Sequence, residues 1–403
     1  MYVPREIEPL IKRASSQFPA IALTGARQSG KTTLVKKIFP DFTYVTFDDP
    51  LQQERAIEDP NLFLDSLGDH LILDEIQHVP DLMPHLKIRI DQNRNKRGRF
   101  ILTGSQQFNL IRNLSESLAG RIVLLELQPF STGEKRIIPT KRILTTTEMF
   151  IDNCIRGTYP ELTVYPDIES ELWYGSYLQT YLERDIRTIY DIGSLRDFRR
   201  LMQVLAGRNA QVLNMSTLAK SVGIAVSTVK KWISILEASN IIYLLQPYHN
   251  NFGKRITKAP KLYFLDCGLV CYLTGLKDPD HIIKGPMAGS LFESLCVQES
   301  LKVFFNCGRQ PKLFYLRTNN GLEVDLIIET ENMTVYPLEI KLTKSPKRSM
   351  ISNIARFRSV FAKLKIKQGR LLCLCDEQMP LTPNDSVEPC DIYLDWLRKT
   401  IGD

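Results

Sequence analysis

Short apolar runs recur along the first third of the chain, and each one ends at a polar or charged side chain. The runs read AIALT, LILD, FILT and IVLLE, and stretches with helical spacing separate them. Uninterrupted apolar runs of this length are typical of strands that are covered on both faces of a parallel sheet. The pattern therefore predicts an α/β fold with polar groups collected at the carboxyl ends of the strands.

The segment from residue 145 to residue 195 has helical spacing instead. Its aromatic side chains fall on one predicted helix face, and they are Trp173, Tyr174, Tyr177 and Tyr181. Large rings at this spacing are more often core residues than parts of a binding site. We expect the segment to be helical and to pack against the N-terminal domain.

Two short helices are predicted over residues 216–242, where the sequence reads STLAKSVGIAVSTVKKWISILEASNII. Gly223 marks the turn between them, and Ser227 is the expected N-cap of the second helix. The second helix carries an apolar stripe and an opposite polar face. The stripe is Val229, Trp232, Ile233 and Leu236, and the polar face is Thr228, Lys230, Lys231 and Ser234. This arrangement is typical of a helix-turn-helix.

The next two apolar runs, IIYLLQPY and KLYFLD, predict a hairpin whose tip carries Lys254, Arg255 and Lys258. A helix-turn-helix followed by such a basic tip predicts a winged helix that contacts phosphate groups, with DNA favoured as the partner. Since no run of Arg or Asn is present, binding without base specificity is expected. Winged helices also mediate protein contacts, and a face with lysines is often only solvated, so both interpretations stay open.

The last third predicts a second hairpin preceded by a helix. The strands are GLEVDLIIET and YPLEIKLT, which a short polar stretch separates. Upstream, GSLFESLCVQESLKVFF has the pattern of an amphipathic helix.

The length and composition of the chain indicate several domains. A chain of 403 residues with 43% hydrophobic and 24% charged residues is a globular protein of several domains. We assign residues 1–140 to the parallel-sheet domain, 141–198 to the helical segment, 199–265 to the winged helix and 266–403 to a last α/β domain. The N-terminus MYVPREIEPLIKR lacks the apolar core of a signal peptide, and no stretch approaches the roughly 20 apolar residues of a membrane span. We expect a cytoplasmic protein without a membrane partner.

Charge is distributed unevenly along the chain, whose net charge is +7. Ten Lys or Arg and no Asp or Glu occur between residues 341 and 370, and nine basic residues stand against Glu237 alone between residues 199 and 258. Both regions are suited to polyanions. The eight cysteines lack the paired spacing of a zinc site, so they are interpreted as buried thiols.

A complete phosphate-binding motif follows the first apolar run. Residues 25–32 read GARQSGKT, which is G-x-x-x-x-G-K-T placed between a strand and a helix. Glycines let the backbone close around phosphate, while N–H groups at the helix start point at it. Lys31 is expected to reach the β- and γ-phosphates of a bound nucleotide as a catalytic residue, and Thr32 to bind Mg²⁺. The predicted nucleotide-binding residues here are Gly25, Arg27, Gly30, Lys31, Thr32 and Thr33.

Acidic and polar residues end the later strands of this domain. Asp74 is expected to hold the Mg²⁺ shell, and Glu75 to polarise the attacking water. Thr103 and Ser105 are placed to sense the γ-phosphate or the water that attacks it. Arg121, just before the last apolar run, is either a finger that reaches the nucleotide of a neighbouring subunit in a homo-oligomer or a solvated arginine at a strand end.

The order of these motifs resembles an AAA+ ATPase core. More narrowly, GARQSGKTTLVKK, LILDEIQHVP, ILTGSQQF, LAGRIVLLELQPFS and YLERDI are similar to a large prokaryotic family of AAA-type ATPases. In that family a winged helix and a restriction-endonuclease-like domain follow the core. The resemblance covers nearly the whole chain, and it implies binding and hydrolysis of ATP.

Three acidic residues and one lysine in the last third are spaced so that their side chains can meet at one site. Asp325 and Glu339 lie on the two predicted hairpin strands, Lys341 follows two residues after Glu339, and Glu293 lies on the preceding helix. The segment resembles the PD-(D/E)xK nuclease superfamily, although Val324 stands where that name has proline. Asp325, Glu339 and the Ile340 carbonyl are hard oxygen ligands for Mg²⁺ or Mn²⁺, and Lys341 would activate water. Glu293, Asp325, Glu339 and Lys341 are the candidate catalytic residues. Glu-x-Lys is also a common solvated strand pattern.

Two functions are consistent with this sequence. The first is an ATPase that couples its nucleotide state to nucleic-acid engagement, with metal-dependent phosphodiester cleavage by the C-terminal domain. The alternative is an ATP-dependent regulatory or scaffold protein whose C-terminal half binds DNA or protein without catalysis.

Overall fold

A computed structural model describes residues 1–104, 118–138, 144–180, 194–248 and 259–402. These residues form two compact units. The first unit is Met1–Ile137 with two short later segments, Ala238–Asn240 and Phe305–Arg309. The second unit contains the remainder of the chain.

The first unit contains a five-stranded sheet in the order β2-β3-β4-β1-β5. Its strands are β1 Ala20–Thr24, β2 Thr43–Thr46, β3 Leu71–Asp74, β4 Phe100–Thr103 and β5 Ile122–Glu126. All four strand pairs are parallel, so the predicted α/β fold with a parallel sheet is confirmed. The helices are α1 Glu8–Gln17, α2 Lys31–Ile38, α3 Pro50–Glu58, α4 Pro60–Leu67, α5 Leu82–Gln92 and α6 Thr132–Arg136.

The apolar runs are continuous because both faces of this sheet are buried. In β1, Ala20 and Ala22 belong to one hydrophobic cluster, while Ile21 and Leu23 belong to a second one. Successive side chains of a strand leave on opposite faces, so a strand between two clusters must be apolar at every position. Each fully buried Leu or Ile contributes about 1.5 to 3 kcal/mol.

The second unit combines helices with a ten-stranded sheet. The path is β14-β15-β13-β11-β10-β9-β7-β8-β6, and β12 pairs with β11. The strands are β6 Gln211–Val212, β7 Ile242–Pro247, β8 Lys261–Phe264, β9 Leu313–Arg317, β10 Glu323–Glu329, β11 Thr334–Ile340, β12 Lys365–Ile366, β13 Gly369–Leu372, β14 Met379–Thr382 and β15 Asp385–Glu388. The helices are α7 Thr146–Ile155, α8 Pro160–Val164, α9 Ser170–Thr180, α10 Leu195–Ala206, α11 Met215–Val222, α12 Val226–Ala238, α13 Cys267–Thr274, α14 Pro279–Lys284, α15 Ala288–Asn306, α16 Ser352–Val360 and α17 Cys390–Gly402.

The aromatic stripe of α9 is buried, as its spacing predicts. Trp173 and Tyr177 stack with ring centroids 5.1 Å apart, and both rings contact Tyr159. These contacts lie within the second unit, so the expected packing on the N-terminal domain stays a prediction. Tyr181 lies outside the described residues.

The predicted helix-turn-helix corresponds to α11 and α12. Gly223 ends α11 in the left-handed conformation at φ 83°, as a turn glycine should. The apolar stripe of α12 is buried, whereas Lys230, Lys231 and Ser234 are exposed. The predicted N-cap, Ser227, is wrong. Helix α12 begins at Val226, so Ser227 lies inside its first turn.

Strands β7 and β8 form the antiparallel hairpin expected after these helices. The hairpin tip with Lys254, Arg255 and Lys258 lies outside the described residues. β7 also pairs in parallel with β9, which joins this hairpin to the C-terminal strands in one sheet. The four segments assigned from the sequence stay predictions, and the sheet crosses the expected boundary at residue 265.

Helix α15 is not the amphipathic helix that its pattern predicts, because it is buried on nearly all sides. Its polar side chains are satisfied internally: Gln298 Nε2 donates to Phe264 O at 2.7 Å, and Lys302 pairs with Glu299 at 2.8 Å. Buried polar groups are retained in folded proteins when they find such partners.

Two further findings concern the whole of the described chain. Within the described ranges, none of the helices has the length and apolar character that a membrane crossing requires. None of the eight cysteines forms a disulfide within the described ranges; six are buried, and Cys307 and Cys390 are half-buried.

Candidate functional sites

The phosphate loop, residues 25–32, connects β1 to the first turn of α2. Gly25 has φ 139°, and a Cβ built there would lie 2.1 Å from the Leu127 carbonyl oxygen. Gly30, which caps α2, has φ 93°. The glycines of the motif are therefore required by the backbone path, since other residues rarely adopt these angles.

Lys31 is buried at the centre of this loop. Its Nζ donates to Gly25 O at 3.1 Å and to Ala26 O at 2.9 Å. Burial lowers the pKa of Lys31 to about 8, although the nearby carboxylates of Glu75 and Asp74 act in the opposite direction. Among the described residues, no carboxylate is in direct contact with this ammonium. A desolvated ammonium of this kind is suited to a phosphate partner. Of the other predicted loop residues, Arg27 is half-buried and Thr33 is exposed.

Asp74, at the carboxyl end of β3, is buried and accepts hydrogen bonds from three hydroxyl groups. Thr32 Oγ1 donates to Oδ2 at 2.9 Å, Tyr44 OH donates to the same oxygen at 2.8 Å, and Thr103 Oγ1 donates to Oδ1. The strand order β2-β3-β4 places Tyr44, Asp74 and Thr103 on neighbouring strands. Thr32 and Asp74 thus supply adjacent hard oxygen ligands of the kind that Mg²⁺ prefers. Tyr44 was missed, because nothing in TYVT distinguishes it from any other residue of a strand.

Glu75 follows Asp74 with a left-handed backbone conformation, φ 54° and ψ 43°. Positive φ is uncommon for residues other than glycine and is concentrated at functional sites. Gln77 Nε2 donates to Glu75 Oε2. The other predicted γ-phosphate sensor, Ser105, lies outside the described residues.

Arg121 is held by a carboxylate of its own chain. Its Nε and Nη2 donate to the two Asp91 oxygens at 2.7 and 3.0 Å, and Nη1 donates to Ala119 O at 3.0 Å. A bidentate pair of this kind fixes the guanidinium geometrically. The arrangement is that of an arginine at a strand end, and the role of a finger stays a prediction.

The second site, called here the hairpin site, consists of Asp325, Glu339 and Lys341. Strands β10 and β11 pair antiparallel as predicted, with Leu326 opposite Leu338. Lys341 Nζ lies 2.8 Å from both Asp325 Oδ2 and Glu339 Oε2, and Ile340 N donates to Asp325 Oδ2 at 2.9 Å. The sequence therefore located three groups that the fold brings together.

The two carboxylates of the hairpin site have opposite electrostatic environments. Burial and the neighbouring charge of Asp325 raise the pKa of Glu339 to about 8. Burial also acts to raise the pKa of Asp325, but the Lys341 ammonium outweighs it and keeps that pKa below its ordinary value. Pairs of acids in close contact titrate in this way, because both cannot be charged at low cost.

Among the described residues, Glu293 does not form a cation-holding group with Asp325 and Glu339. Two groups from β8 hold it, and burial raises the pKa of Glu293, an effect to which the nearby charge of Asp325 adds. Lys261 Nζ lies 2.9 Å from Glu293 Oε1, and Tyr263 OH donates to the same oxygen at 2.6 Å. Lys261 also lies 3.5 Å from Glu323 Oε1. Sequence analysis missed Lys261 and Tyr263, since they belong to a strand that it assigned to the wing.

The fit of a divalent cation depends on which oxygens are available. In the described part of the chain, no group of three or more His, Cys, Asp or Glu side chains is arranged to hold a metal ion. Glu339 is 1% exposed, however, and its Oε1 has no hydrogen-bond partner among the residues that the structure describes. A buried carboxylate oxygen without a donor is unusual and fits a cation ligand. The available donor set is thus Asp325 and Glu339, without Glu293.

A basic surface follows the hairpin site in sequence. Of the ten Lys and Arg between residues 341 and 370, Arg358 pairs with Asp385 and Arg370 pairs with Glu388. Those exposed to solvent are Lys344, Lys347, Arg348, Arg356, Lys363, Lys365 and Lys367. Among the described residues, these seven make no ion pair.

The geometry of the first site is that of a P-loop nucleotide-binding domain, and the comparisons agree. Residues 17–135 match the family model of an AAA domain. Residues 147–280 and 288–393 match two domains of unknown function, DUF8612 and DUF4143. The first unit is therefore an AAA-type P-loop ATPase domain.

Similar proteins cover nearly the whole chain. The uncharacterised protein Rv2008c of Mycobacterium tuberculosis is 29% identical over 394 residues, which are 97% of this chain and 84% of that relative. The uncharacterised protein Mb2031c of Mycobacterium bovis matches to the same extent.

Two solved structures show a weaker likeness. The Walker-type ATPase PABY2304 of Pyrococcus abyssi has 15% identity and a TM-score of 0.44, covering 68% of this chain and 96% of its own. The RuvB Holliday junction branch migration motor of Thermotoga maritima has 18% identity and a TM-score of 0.32, covering 60% and 90%.

Proposed function

We propose that the protein hydrolyses ATP at the phosphate loop, and that its nucleotide state controls how the second unit engages nucleic acid. The observation that carries the first part is the contact of Thr32 with Asp74 at 2.9 Å beside the buried Lys31. Thr32 and Asp74 would hold Mg²⁺, which neutralises charge on the β- and γ-phosphates when bound. Lys31 would leave its loop carbonyls for the phosphates, and Glu75 would orient the attacking water.

The role of Glu75 is tested by Glu75→Gln. Because Gln keeps the shape of the side chain but cannot accept a proton, ATP binding should persist while turnover falls about 100-fold to 10,000-fold. Binding and steady-state hydrolysis are measured for this variant and for Glu58→Gln, an exposed glutamate of the same unit. Turnover equal to that of the control would remove Glu75 from the mechanism.

For the second unit we propose a nuclease-like site that binds one divalent cation through Asp325 and Glu339. The Oε1 of Glu339, which finds no hydrogen-bond partner in the described part of the chain and lies beside Asp325 and Lys341, supports this proposal. Bound Mg²⁺ or Mn²⁺ would supply Lewis-acid activation of a phosphodiester. Lys341 would be released from its carboxylates to hold the attacking water and to offset phosphate charge.

Nucleic acid is the proposed partner because phosphate-binding features lie on both sides of this site in the sequence. Lys230 is exposed on α12, and the order of helices and strands around it supports a winged helix. The basic residues after Lys341 that make no ion pair among the described residues provide a second surface. Contacts of this type favour DNA binding without base readout.

The deciding experiment is a nuclease assay with Mg²⁺ or Mn²⁺, with and without ATP. Wild type is compared with Asp325→Ala and with Asp376→Ala, an exposed aspartate of the same unit. Cleavage by wild type and the control, but not by Asp325→Ala, is expected. Equal cleavage by all three proteins would place the activity elsewhere.

The second candidate function is a scaffold whose C-terminal half only binds a partner. One observation favours it: Lys341 Nζ contacts both carboxylates at 2.8 Å and so offsets part of their negative charge without a metal. Under this function Lys341→Ala leaves function intact, and Mn²⁺ does not bind to Asp325 and Glu339.

A further inference from the structure

An arginine near the start of the chain is buried against the phosphate loop. Arg5 stands in the segment MYVPREI, which sequence analysis used only to exclude a signal peptide. Its side chain is 4% exposed, and its guanidinium lies 4.7 Å from the centre of the Phe130 ring. Burying a guanidinium is costly unless its donors are satisfied.

Three different nitrogens of Arg5 find oxygen partners on three separate segments. Nη1 donates to Ser29 O at 2.8 Å, Nη2 donates to Gln128 O at 2.7 Å, and Nε donates to Glu134 Oε1 at 3.0 Å. Glu134 is itself fixed, because it forms a capping box with Ser131 at the start of α6. The planar guanidinium is suited to such a role, since its donors diverge in fixed directions.

The contact with Ser29 determines where the next amide points. In a planar trans peptide the C=O and the following N–H point in opposite directions. With the Ser29 carbonyl held by Arg5, the Gly30 N–H is directed away from Arg5. Gly30 caps α2, so this N–H belongs to the group of helix-start donors that bind phosphate.

The other end of the loop rests on the same segment that Arg5 holds. Gly25 lies so close to the Leu127 carbonyl that a Cβ would meet it at 2.1 Å, and Leu127 N donates to Thr24 O at 2.8 Å. Gln128, the next residue, is one of the Arg5 acceptors. Both ends of the loop are thus supported by the stretch that follows β5.

We propose that Arg5 is a positioning residue for nucleotide binding, which fixes the phosphate loop from behind in its phosphate-binding conformation. It acts through the Ser29 carbonyl and does not contact the nucleotide. The proposal rests on the ATPase assignment of the first unit. The loop must have this conformation both when ATP binds and in the transition state. Losing Arg5 should therefore weaken the binding of both states equally.

The test compares Arg5→Ala and Arg5→Lys with Arg99→Ala. Arg99 is a matched control: it is also buried in the first unit, and it donates to Asp69 Oδ1 at 2.8 Å and to Arg89 O at 2.9 Å. ATP dissociation constants, KM, kcat and thermal unfolding without nucleotide are measured for each protein. Arg5→Lys keeps the charge and protects folding, but one ammonium cannot replace three diverging donors.

Both Arg5 variants should bind ATP about tenfold or more weakly, the scale expected for a lost charge-assisted hydrogen bond. KM should rise by a similar factor while kcat at saturating ATP stays within about threefold of wild type. Arg99→Ala should lose thermal stability without this change in KM.

Three outcomes would overturn the proposal. ATP affinity of Arg5→Lys equal to wild type would show that the loop does not need the guanidinium. A KM increase of the same size in Arg99→Ala would reduce Arg5 to a stability role. Failure of wild type to bind ATP would remove the ATPase assignment and this inference with it.

Discussion

Gly25 shows how closely the phosphate loop is tied to its surroundings. Its φ of 139° excludes most side chains, and the space that a Cβ would occupy is filled by the Leu127 carbonyl. The motif could be recognised from the sequence because its residues are neighbours in the chain. The obstruction by Leu127 could not, since it comes from a segment a hundred residues later.

Gly25→Ala should therefore abolish ATP binding. A suitable control is Gly68→Ala, because Gly68 also has a positive φ of 89°. Apart from Gly68 and its two chain neighbours, no described residue has a heavy atom within 4 Å of the place that a methyl group would occupy. Both variants should lose about 1 to 3 kcal/mol of stability from backbone strain. Only Gly25→Ala should lose nucleotide affinity, as measured by calorimetric titration with ATP. Retained affinity would show that the loop tolerates displacement from Leu127.

Single residues of the two sites differ in how far the sequence revealed them. Lys31, Asp74 and Glu75 follow from short patterns, because chemistry at a strand end is local. Tyr44 and Lys261 do not, since Tyr44 reaches Asp74 only when β2 pairs with β3, and Lys261 reaches Glu293 only when α15 meets β8. A hydroxyl or an ammonium on a strand carries no local sign of such a partner.

At the scale of elements, prediction from the sequence succeeded for the C-terminal hairpin and failed for the helix before it. The hairpin of β10 and β11 was predicted correctly, because alternation and a short polar turn are sufficient to specify it. The environment of α15 was predicted wrongly. Its polar residues are buried among other elements, and helical periodicity alone cannot show whether a polar face meets water or polar partners.

The link between α15 and β8 can be tested by Lys261→Met. The side chains of Lys261 and Glu293 are 5% and 16% exposed, so removing the lysine leaves a mostly buried carboxylate with the Tyr263 hydrogen bond but without this cation. We expect a loss of about 3 to 5 kcal/mol in the free energy of unfolding of the second unit.

Chemical denaturation measures this loss, and the double variant Lys261→Met/Glu293→Gln is its control. Removing both charges should restore most of the stability, since the unpaired carboxylate is gone. A single variant as stable as the double one would mean that Lys261 and Glu293 are not energetically coupled.

At the scale of the whole molecule, the distribution of charge determines the proposed partner. The exposed basic residues after Lys341 make no ion pair among the described residues, so their charge is available to a polyanion. The net charge of +7 alone would not reveal this, because many other cations are neutralised by nearby acids.

Affinity for duplex DNA should consequently fall steeply with salt, since each phosphate contact releases counterions. In Lys344→Gln/Lys347→Gln, the slope of log affinity against log salt should be shallower by about 2, at roughly 0.9 for each lost contact. The control Lys12→Gln/Arg13→Gln removes the same charge from an exposed face of α1 in the first unit. Equal slopes in the two variants would exclude the residues after Lys341 as the DNA surface.

The sequence by itself determined the parallel α/β unit, the phosphate loop with its Asp74 and Glu75 strand, and the pairing of Asp325, Glu339 and Lys341. These features depend on neighbours in the chain or on simple alternation. Only the tertiary structure decided that Glu293 is held by Lys261 and Tyr263, that α15 is buried, and that Arg5 supports the phosphate loop. Each of those contacts joins segments far apart in sequence, and the register that brings them together is set by the packing of the whole unit.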